Sequence, residues 1–185
     1  MLPELSLHIL DIAENSVRAK ASLIWIRVFV SPASDLLSIE IEDNGNGMTK
    51  EELLKVTDPF FTTRTTRRIG LGVSFFKMAA ENSGGTFSIT STSGEGTCTK
   101  ASFCLSHIDR MPMGDLVRTI HTLVTMHPET DFIYDYTYED RSFHMDTREF
   151  RKILGEVSFG EPEVSRFILS YLTENQQETD GGMLV

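Results

Sequence analysis

The chain has 185 residues, 40% of them hydrophobic, and a formal net charge of -10 at pH 7. That length supports one good hydrophobic core with a small appendage, and the acidic surplus, concentrated after residue 106, disfavours nucleic acid and anionic membrane surfaces as partners. No apolar run reaches the ~20 residues needed to cross a bilayer and the N-terminus lacks the pattern of a secretory signal, so we expect a cytoplasmic protein.

The first predicted helix covers residues 4–20, where apolar residues recur at three- and four-residue spacing. Its polar stripe contains His8, Asp11, Asn15 and Arg18, with Asp11 and Asn15 one helical turn apart on the same side. An amide oxygen is a good ligand for Mg²⁺, and a carboxylate one turn earlier could orient a water beside the same phosphate. A merely solvated pair of polar residues is the alternative.

Two strands are predicted next, at 23–30 and 36–42, because hydrophobic and polar residues alternate there. The second strand runs into Asp43-Asn44-Gly45-Asn46-Gly47. An acidic residue at the end of a strand can accept a hydrogen bond from the exocyclic amine of a base, and alternate glycines let the backbone approach a flat ring. The motif therefore indicates a base-binding site, with a Gly-rich surface turn as the alternative.

A mobile loop is predicted at residues 57–69, which show no periodicity. Gly70-Leu71-Gly72 then opens a helix that runs to about residue 82. The first N–H groups of a helix and its positive dipole end attract phosphate, and a cationic loop beside them would neutralise phosphate charge, although a solvated charged loop is the ordinary explanation. The cations of the loop are Arg64, Arg67 and Arg68.

Strands at 86–92 and 97–105 complete an order of elements that predicts an α+β sandwich, with helices layered on one face of a sheet. We assign residues 1–106 to this domain, 107–176 to a small α+β appendage and 177–185 to a disordered tail. Aromatic residues alternate along 132–138, a pattern that favours packing against the sheet of the ATPase domain over contact with a partner protein.

Several of these motifs together resemble the GHKL ATPases. The resembling segments are 11–16 (Asp-Ile-Ala-Glu-Asn-Ser, the N box), 43–48 (Asp-Asn-Gly-Asn-Gly-Met, the G1 box), 58–63 (Asp-Pro-Phe-Phe-Thr-Thr, the F box), 70–72 (Gly-Leu-Gly, the G2 box) and 94–97 (Gly-Glu-Gly-Thr, the terminal Gly-Thr element). Five elements in the correct order, within a match that covers about residues 5–106, argue against chance.

The resemblance implies a Bergerat-type α/β sandwich on a mixed sheet, and a site for ATP with Mg²⁺. By the same resemblance Asn15 binds Mg²⁺ and Asp43 reads the adenine amino group. Gly45 and Gly47 would shape the base pocket, and Thr97 would support Asp43 through water.

At the phosphate end, the resemblance implies that Gly70, Leu71 and Gly72 hold the phosphates under an ATP lid formed by 57–69 with its three arginines. Arg18 matches a basic residue that histidine kinases often carry three positions after the asparagine. Asp11 takes the catalytic position, where gyrase-like and anti-sigma members usually carry the longer glutamate, so direct hydrolysis is less expected than transfer.

The expected function is therefore that of a regulatory ATP-binding protein that phosphorylates or switches a protein partner, in the manner of a histidine kinase or an anti-sigma factor serine kinase. Only about seven residues precede the domain, which does not suit a complete sensor kinase of the usual layout. A nonenzymatic ATP sensor is the second expectation, and a gyrase-like or mismatch-repair-like ATPase the third. Homodimerisation is compatible with each of them.

Overall fold

The structure is a computed structural model, and it describes residues 2–56 and 71–183, with the backbone alone at Leu71. The predicted loop and lid at 57–69, with Arg64, Arg67 and Arg68, lie outside the described residues, as do Gly70 and the Leu71 side chain. The helices are α1 (Leu5–Arg18), α2 (Lys50–Val56), α3 (Leu71–Asn82), α4 (Leu116–Met126), α5 (Thr147–Leu154) and α6 (Pro162–Asp180). The strands are β1 (Leu23–Ser31), β2 (Leu36–Asp43), β3 (Phe87–Thr92), β4 (Gly96–Cys104), β5 (Asp131–Tyr138) and β6 (Arg141–Asp146).

One mixed sheet holds the described strands in the order β3-β4-β2-β1-β5-β6. Neighbouring strands are antiparallel except β1 and β5, which are parallel. A parallel pair needs a crossover connection, and α4 lies in the chain just before β5 and supplies it. The predicted α+β sandwich with a mixed sheet is therefore confirmed.

The two faces of the sheet differ because side chains alternate along each strand. On β1, Ile24, Ile26 and Val28 are buried under the helices, whereas Arg27 is half-buried and Phe29 is exposed. The helices α1, α3, α4 and α6 contact one another and the sheet, and their apolar stripes meet the buried strand residues in one core. The prediction that helices cover one face of the sheet is confirmed.

The C-terminal region extends the same sheet, since β5 pairs with β1 along residues 23–30. The aromatic stripe of β5 faces α6: the Tyr134 hydroxyl donates to Gln176 Oε1 at 3.1 Å and the Tyr136 hydroxyl to Asp180 Oδ2 at 3.0 Å. The stripe therefore packs within the chain, but against α6 and not against the face of the ATPase sheet that the prediction named. The division into a domain at 1–106 and an appendage at 107–176 stays a prediction.

The last turn of α6 corrects the prediction of a disordered tail at 177–185. Residues 177–180 are helical, and Thr179 and Asp180 are buried. The helix persists because Asp180 accepts the Tyr136 hydroxyl and the Gly182 N–H, which ties its end to the sheet. The polar sequence predicted a disordered tail, whereas the contact of Asp180 with Tyr136 stabilises a helix there.

His8 also departs from its predicted place in a polar stripe of α1. Its side chain is fully buried and stacks on Phe76 with ring centroids 5.7 Å apart. Neither ring nitrogen has a hydrogen-bond partner in the described part of the chain. Burial, opposed by the nearby Asp11 carboxylate, lowers the pKa of His8, so the ring is held neutral in the core.

Within residues 2–56 and 71–183, none of the helices combines the length and the apolar character that crossing a membrane requires.

Replacing Tyr136 by phenylalanine tests the attachment of α6. The change leaves the buried Asp180 carboxylate without its hydroxyl donor, so we expect the free energy of unfolding to fall by about 1–3 kcal/mol. Urea denaturation measures the loss. Tyr138→Phe is the matched control, because the Tyr138 hydroxyl donates only to the weakly accepting Met183 sulfur and should cost clearly less. Equal losses in both variants would contradict this account.

Candidate nucleotide-binding site

A cavity of about 240 Å³ opens between the helices α1, α2 and α3, the strands β2, β3 and β4, and the loop that follows β2. Its wall is mostly apolar, which suits the faces of a flat ring. The apolar lining residues are Ile12, Ala19, Ile41, Met48, Val56, Val73 and Ile89. The polar ones are Asn15, Ser16, Asp43, Thr97 and Thr99, with the Gly47 backbone beside them.

The Asp43 carboxylate lies in this wall and is held by two donors. Ser16 Oγ donates to Oδ2 at 2.6 Å and the Gly45 N–H donates to Oδ1 at 2.9 Å. Asp43 is the last residue of β2 and is paired with Thr97 of β4 in the antiparallel register. The two side chains therefore lie next to each other on the same face of the sheet. Each carboxylate oxygen keeps acceptor capacity, and the group is positioned to accept hydrogen bonds from a ligand in the cavity.

The loop after Asp43 lies tightly on the β3–β4 turn. Gly47 has φ +60°, and a Cβ built there would lie 1.9 Å from the Thr92 carbonyl oxygen. The Asn46 N–H donates to the Ala19 carbonyl at 2.8 Å, and the Gly94 N–H donates to the Asn46 carbonyl at 2.7 Å. Glycine at position 47 is therefore required by contact with the protein's own backbone, as well as by the positive φ.

Ser91 of β3 connects the loop to Thr97. Its Oγ accepts the Met48 N–H at 2.8 Å and lies 2.9 Å from both the Gly96 carbonyl oxygen and Thr97 Oγ1. These three contacts fix the position of the Thr97 hydroxyl beside Asp43. The prediction that Thr97 supports Asp43 through water stays a prediction, but the two residues are cross-strand neighbours.

Asn15 lines the cavity one turn before the end of α1. Its amide oxygen accepts a hydrogen bond from Arg18 Nη2 at 2.5 Å. An amide oxygen has two lone pairs, so the atom that the resemblance assigns to Mg²⁺ retains one for a hard cation. Arg18 is exposed, and its guanidinium is placed beside the same amide, where it can contact an anionic ligand.

Asp11, one turn before Asn15, contacts the first turn of α3. A Cβ built on Gly72 would lie 1.5 Å from Asp11 Oδ2, so only glycine allows the carboxylate to lie against the helix backbone at that point. The predicted phosphate-binding glycine and the predicted catalytic carboxylate are thus in direct contact. None of the described residues forms a hydrogen bond or an ion pair with the Asp11 side chain.

The structure brings most of the described candidates together. Asn15, Asp43, Gly47 and Thr97 line one cavity, and Gly45 is attached to it through Asp43. Arg18 joins the site through Asn15, and Asp11 with Gly72 forms a neighbouring pair. Their roles in binding stay predictions.

Sequence reasoning missed three polar contributors to the site: Ser16, Ser91 and Thr99. Ser16, the last residue of the segment 11–16, donates to Asp43 across 27 residues of sequence. Ser91 and Thr99 carry only a weak signal, which is that they face the same side of adjacent strands as Thr97. Strand register, which the sequence did not specify, places Thr99 in the cavity wall and Ser91 beside Thr97.

Residues 3–107 match the family described as histidine kinase-, DNA gyrase B-, and HSP90-like ATPases. The match covers more than half of the chain and contains every described site residue. The chain belongs to this family of ATPase domains, and the predicted membership of the GHKL superfamily is confirmed.

Bacterial signalling proteins are among its relatives. The non-motile and phage-resistance protein of Caulobacter vibrioides is 28% identical over 118 residues, or 59% of this chain. The sensor protein kinase FleS of Pseudomonas aeruginosa is 34% identical over 58 residues, or 31% of this chain. The matching parts are 14% of each relative's length, so the chain resembles a small portion of these larger proteins.

Solved structures show the same fold. The Aquifex aeolicus MutL ATPase domain, complexed with ADP, aligns with a TM-score of 0.52 at 13% identity, covering 97% of this chain and 71% of that one. The N-terminal domain of a DNA repair protein aligns with a TM-score of 0.55 at 15% identity, covering 78% and 52%. At this identity the likeness concerns the fold alone.

Gly47→Ala tests the packing of the loop beneath the cavity. We expect the free energy of unfolding to fall by more than the ~1–2 kcal/mol that a left-handed conformation costs alanine, because the added methyl also meets the Thr92 carbonyl. Gly94→Ala is the matched control: φ is +85° there, and an added Cβ meets nothing within 4 Å. Urea denaturation compares the two variants, and equal losses would show that the contact with Thr92 is unimportant.

Proposed function

We propose that this chain binds ATP together with Mg²⁺ and uses the nucleotide to phosphorylate or to switch a protein partner, as a histidine kinase-like or anti-sigma factor-like module. The observation that carries the proposal is the Asp43 carboxylate, held by Ser16 and Gly45 in the wall of an otherwise apolar cavity. Membership of the ATPase family supports the nucleotide, and the relationship to a sensor protein kinase supports the partner.

The base would enter the cavity with its amino group toward Asp43. A carboxylate only accepts hydrogen bonds at neutral pH, so it favours an edge that carries N–H donors. Ile41, Met48 and Ile89 supply apolar contacts to the ring faces. This combination favours adenine over a base that presents a carbonyl oxygen to the carboxylate.

The triphosphate would lie toward Asn15, Arg18 and the first turn of α3. The Asn15 amide oxygen is a hard oxygen donor that fits Mg²⁺, and the ion would neutralise phosphate charge. Arg18 would add a second cation at the phosphates. Asp11 would lie beside them and orient the attacking hydroxyl of a protein substrate.

A nonenzymatic ATP sensor is the second candidate, and a contact between the two halves of the chain supports it. His127, at the end of α4, lies 2.6 Å from Glu14 of α1, the residue next to Asn15. The N-terminus of α1 also donates to the carbonyl groups of Pro112 and Met113. A movement of α1 on nucleotide binding would therefore be transmitted to the C-terminal region, where a partner or a second copy could respond.

Asp43→Asn tests the recognition of the base. In the variant an NH₂ group, which donates hydrogen bonds, replaces one carboxylate oxygen, which accepts them. We expect the affinity for MgATP to fall at least tenfold, or about 1.4 kcal/mol. Titration calorimetry measures the change. Glu42→Gln is the matched control, because Glu42 is the adjacent acid but points to the opposite face of the sheet, where it pairs with Arg27. Undiminished uptake by Asp43→Asn would refute the proposed site.

Asp11→Asn separates the enzyme from the sensor. If Asp11 orients the attacking group, the variant should bind MgATP within about twofold of the unmodified protein but transfer or hydrolyse phosphate about 100-fold more slowly. Radiolabelled ATP with Mg²⁺ provides the measurement, and Asp140→Asn, in an exposed turn, is the control. Tight binding with no turnover by the unmodified protein would favour the sensor, and turnover unaffected by Asp11→Asn would remove the role of this carboxylate.

A further inference from the structure

Thr99 lies deeper in the cavity than Asp43 or Thr97. Its side chain is 2% exposed and faces the same side of β4 as Thr97, two residues earlier. Thr99 is paired with Ile41 across β2 and β4. The next pair on the same face of the sheet, two residues away on each strand, is Asp43 with Thr97. Thr99 is therefore placed at the inner end of the wall that carries the carboxylate.

The Thr99 hydroxyl has no hydrogen-bond partner among residues 2–56 and 71–183. Among the described residues, the fully buried side-chain polar atoms that lack a hydrogen-bond partner are the two ring nitrogens of His8. Thr99 Oγ1 also lacks a partner but is not one of these atoms, so it is not fully buried. Because the residue lines the cavity, its unpaired hydroxyl is open to the cavity. A hydroxyl so deeply placed gains a hydrogen bond when a ligand supplies one.

The neighbouring polar groups have already used their protons. Ser16 donates to Asp43 at 2.6 Å, a much closer contact than its 3.4 Å approach to the Ile12 carbonyl. Ser91 Oγ lies 2.9 Å from the Gly96 carbonyl oxygen, which can only accept, and 2.9 Å from Thr97 Oγ1, where either hydroxyl can donate. With the Ser91 proton on the Gly96 carbonyl, Thr97 donates to Ser91 and offers only lone pairs to the cavity.

This arrangement leaves Thr99 with the hydroxyl proton that a ligand can use. Asp43 accepts, Thr97 accepts, and Thr99 can donate from the inner end of the same wall. A complementary base edge has an amino group beside an acceptor atom. Adenine has such an edge, because a ring nitrogen adjoins the carbon that bears its amino group, whereas hypoxanthine and guanine carry a carbonyl oxygen in place of that amino group.

We propose that Thr99 is a specificity-determining residue of the base site and donates a hydrogen bond to a ring nitrogen of adenine that adjoins the carbon bearing the amino group. The assignment rests on the proposed function, because it requires the base to occupy this cavity. It adds a donor to the acceptor role of Asp43, so that the wall recognises two adjacent features of the base instead of one.

Thr99→Val tests the assignment, since valine keeps the shape and removes the hydroxyl. The hydroxyl has no partner in the described structure of the free protein, so the free energy of unfolding should be unchanged or higher, whereas a structural role would lower it. The affinity for MgATP should fall about tenfold by calorimetry. Thr90→Val is the matched control, because Thr90 is exposed on β3 and lies on the opposite face of the sheet.

Two ATP analogues give the decisive comparison. In 1-deaza-ATP the ring nitrogen bonded to the amino-bearing carbon is replaced by a C–H group, whereas 7-deaza-ATP keeps that nitrogen and loses one that is not bonded to that carbon. We expect the unmodified protein to bind 1-deaza-ATP about tenfold more weakly than ATP, and Thr99→Val to cause no further loss with that analogue but the full loss with 7-deaza-ATP. A loss by Thr99→Val that persists with 1-deaza-ATP, or no loss with ATP, would overturn the assignment.

The outcomes distinguish this assignment from the proposed function. If the unmodified protein takes up no MgATP, the proposed function fails and the role of Thr99 fails with it. If the protein binds MgATP and Asp43→Asn abolishes the binding, but Thr99→Val has no effect, only the role of Thr99 is overturned.

Discussion

The hydrogen bond from Ser16 to the Asp43 carboxylate is the contact around which the candidate site is organised. It joins α1 to the end of β2, two elements that enclose the cavity, and it leaves the carboxylate with acceptor capacity toward the interior. The Gly45 N–H holds the other oxygen, so the orientation of the group is set before any ligand arrives. Preorganisation of this kind spares a ligand the cost of ordering the side chain that recognises it.

The second constraint is the close packing of the loop after β2 on the β3–β4 turn. Gly47 lies against the Thr92 carbonyl, and a Cβ on Gly96 would lie 1.9 Å from the Asp43 carbonyl oxygen. Ser91 joins the same two segments through Met48 and Thr97. Glycines that resemble ligand-binding positions are thus also required by the protein's own backbone, and the close approach of the two segments depends on that packing.

The helix α1 links the nucleotide site to the C-terminal region. Its polar side carries Asn15 and Arg18, its apolar side enters the shared core, and Glu14 contacts His127 of the C-terminal half. The C-terminal strands continue the sheet through the parallel pairing of β5 with β1. A region that the sequence suggested as an appendage therefore shares the core and the sheet of the ATPase fold, and it contacts the helix that holds the candidate magnesium ligand.

The sequence by itself determined the family, the order of helices and strands, and the candidates Asn15, Asp43, Gly47 and Thr97, because local periodicity and short motifs record these features directly. The extent of α6 and the burial of His8 were decided by tertiary structure, since contacts with Tyr136 and Phe76 outweighed local polarity. The placement of Ser16 and Thr99 in the cavity wall, and of Ser91 beside Thr97, likewise depends on helix packing and strand register. These residues lie close together only after distant segments pair, and a pattern read along one chain does not specify which residues will meet across a sheet.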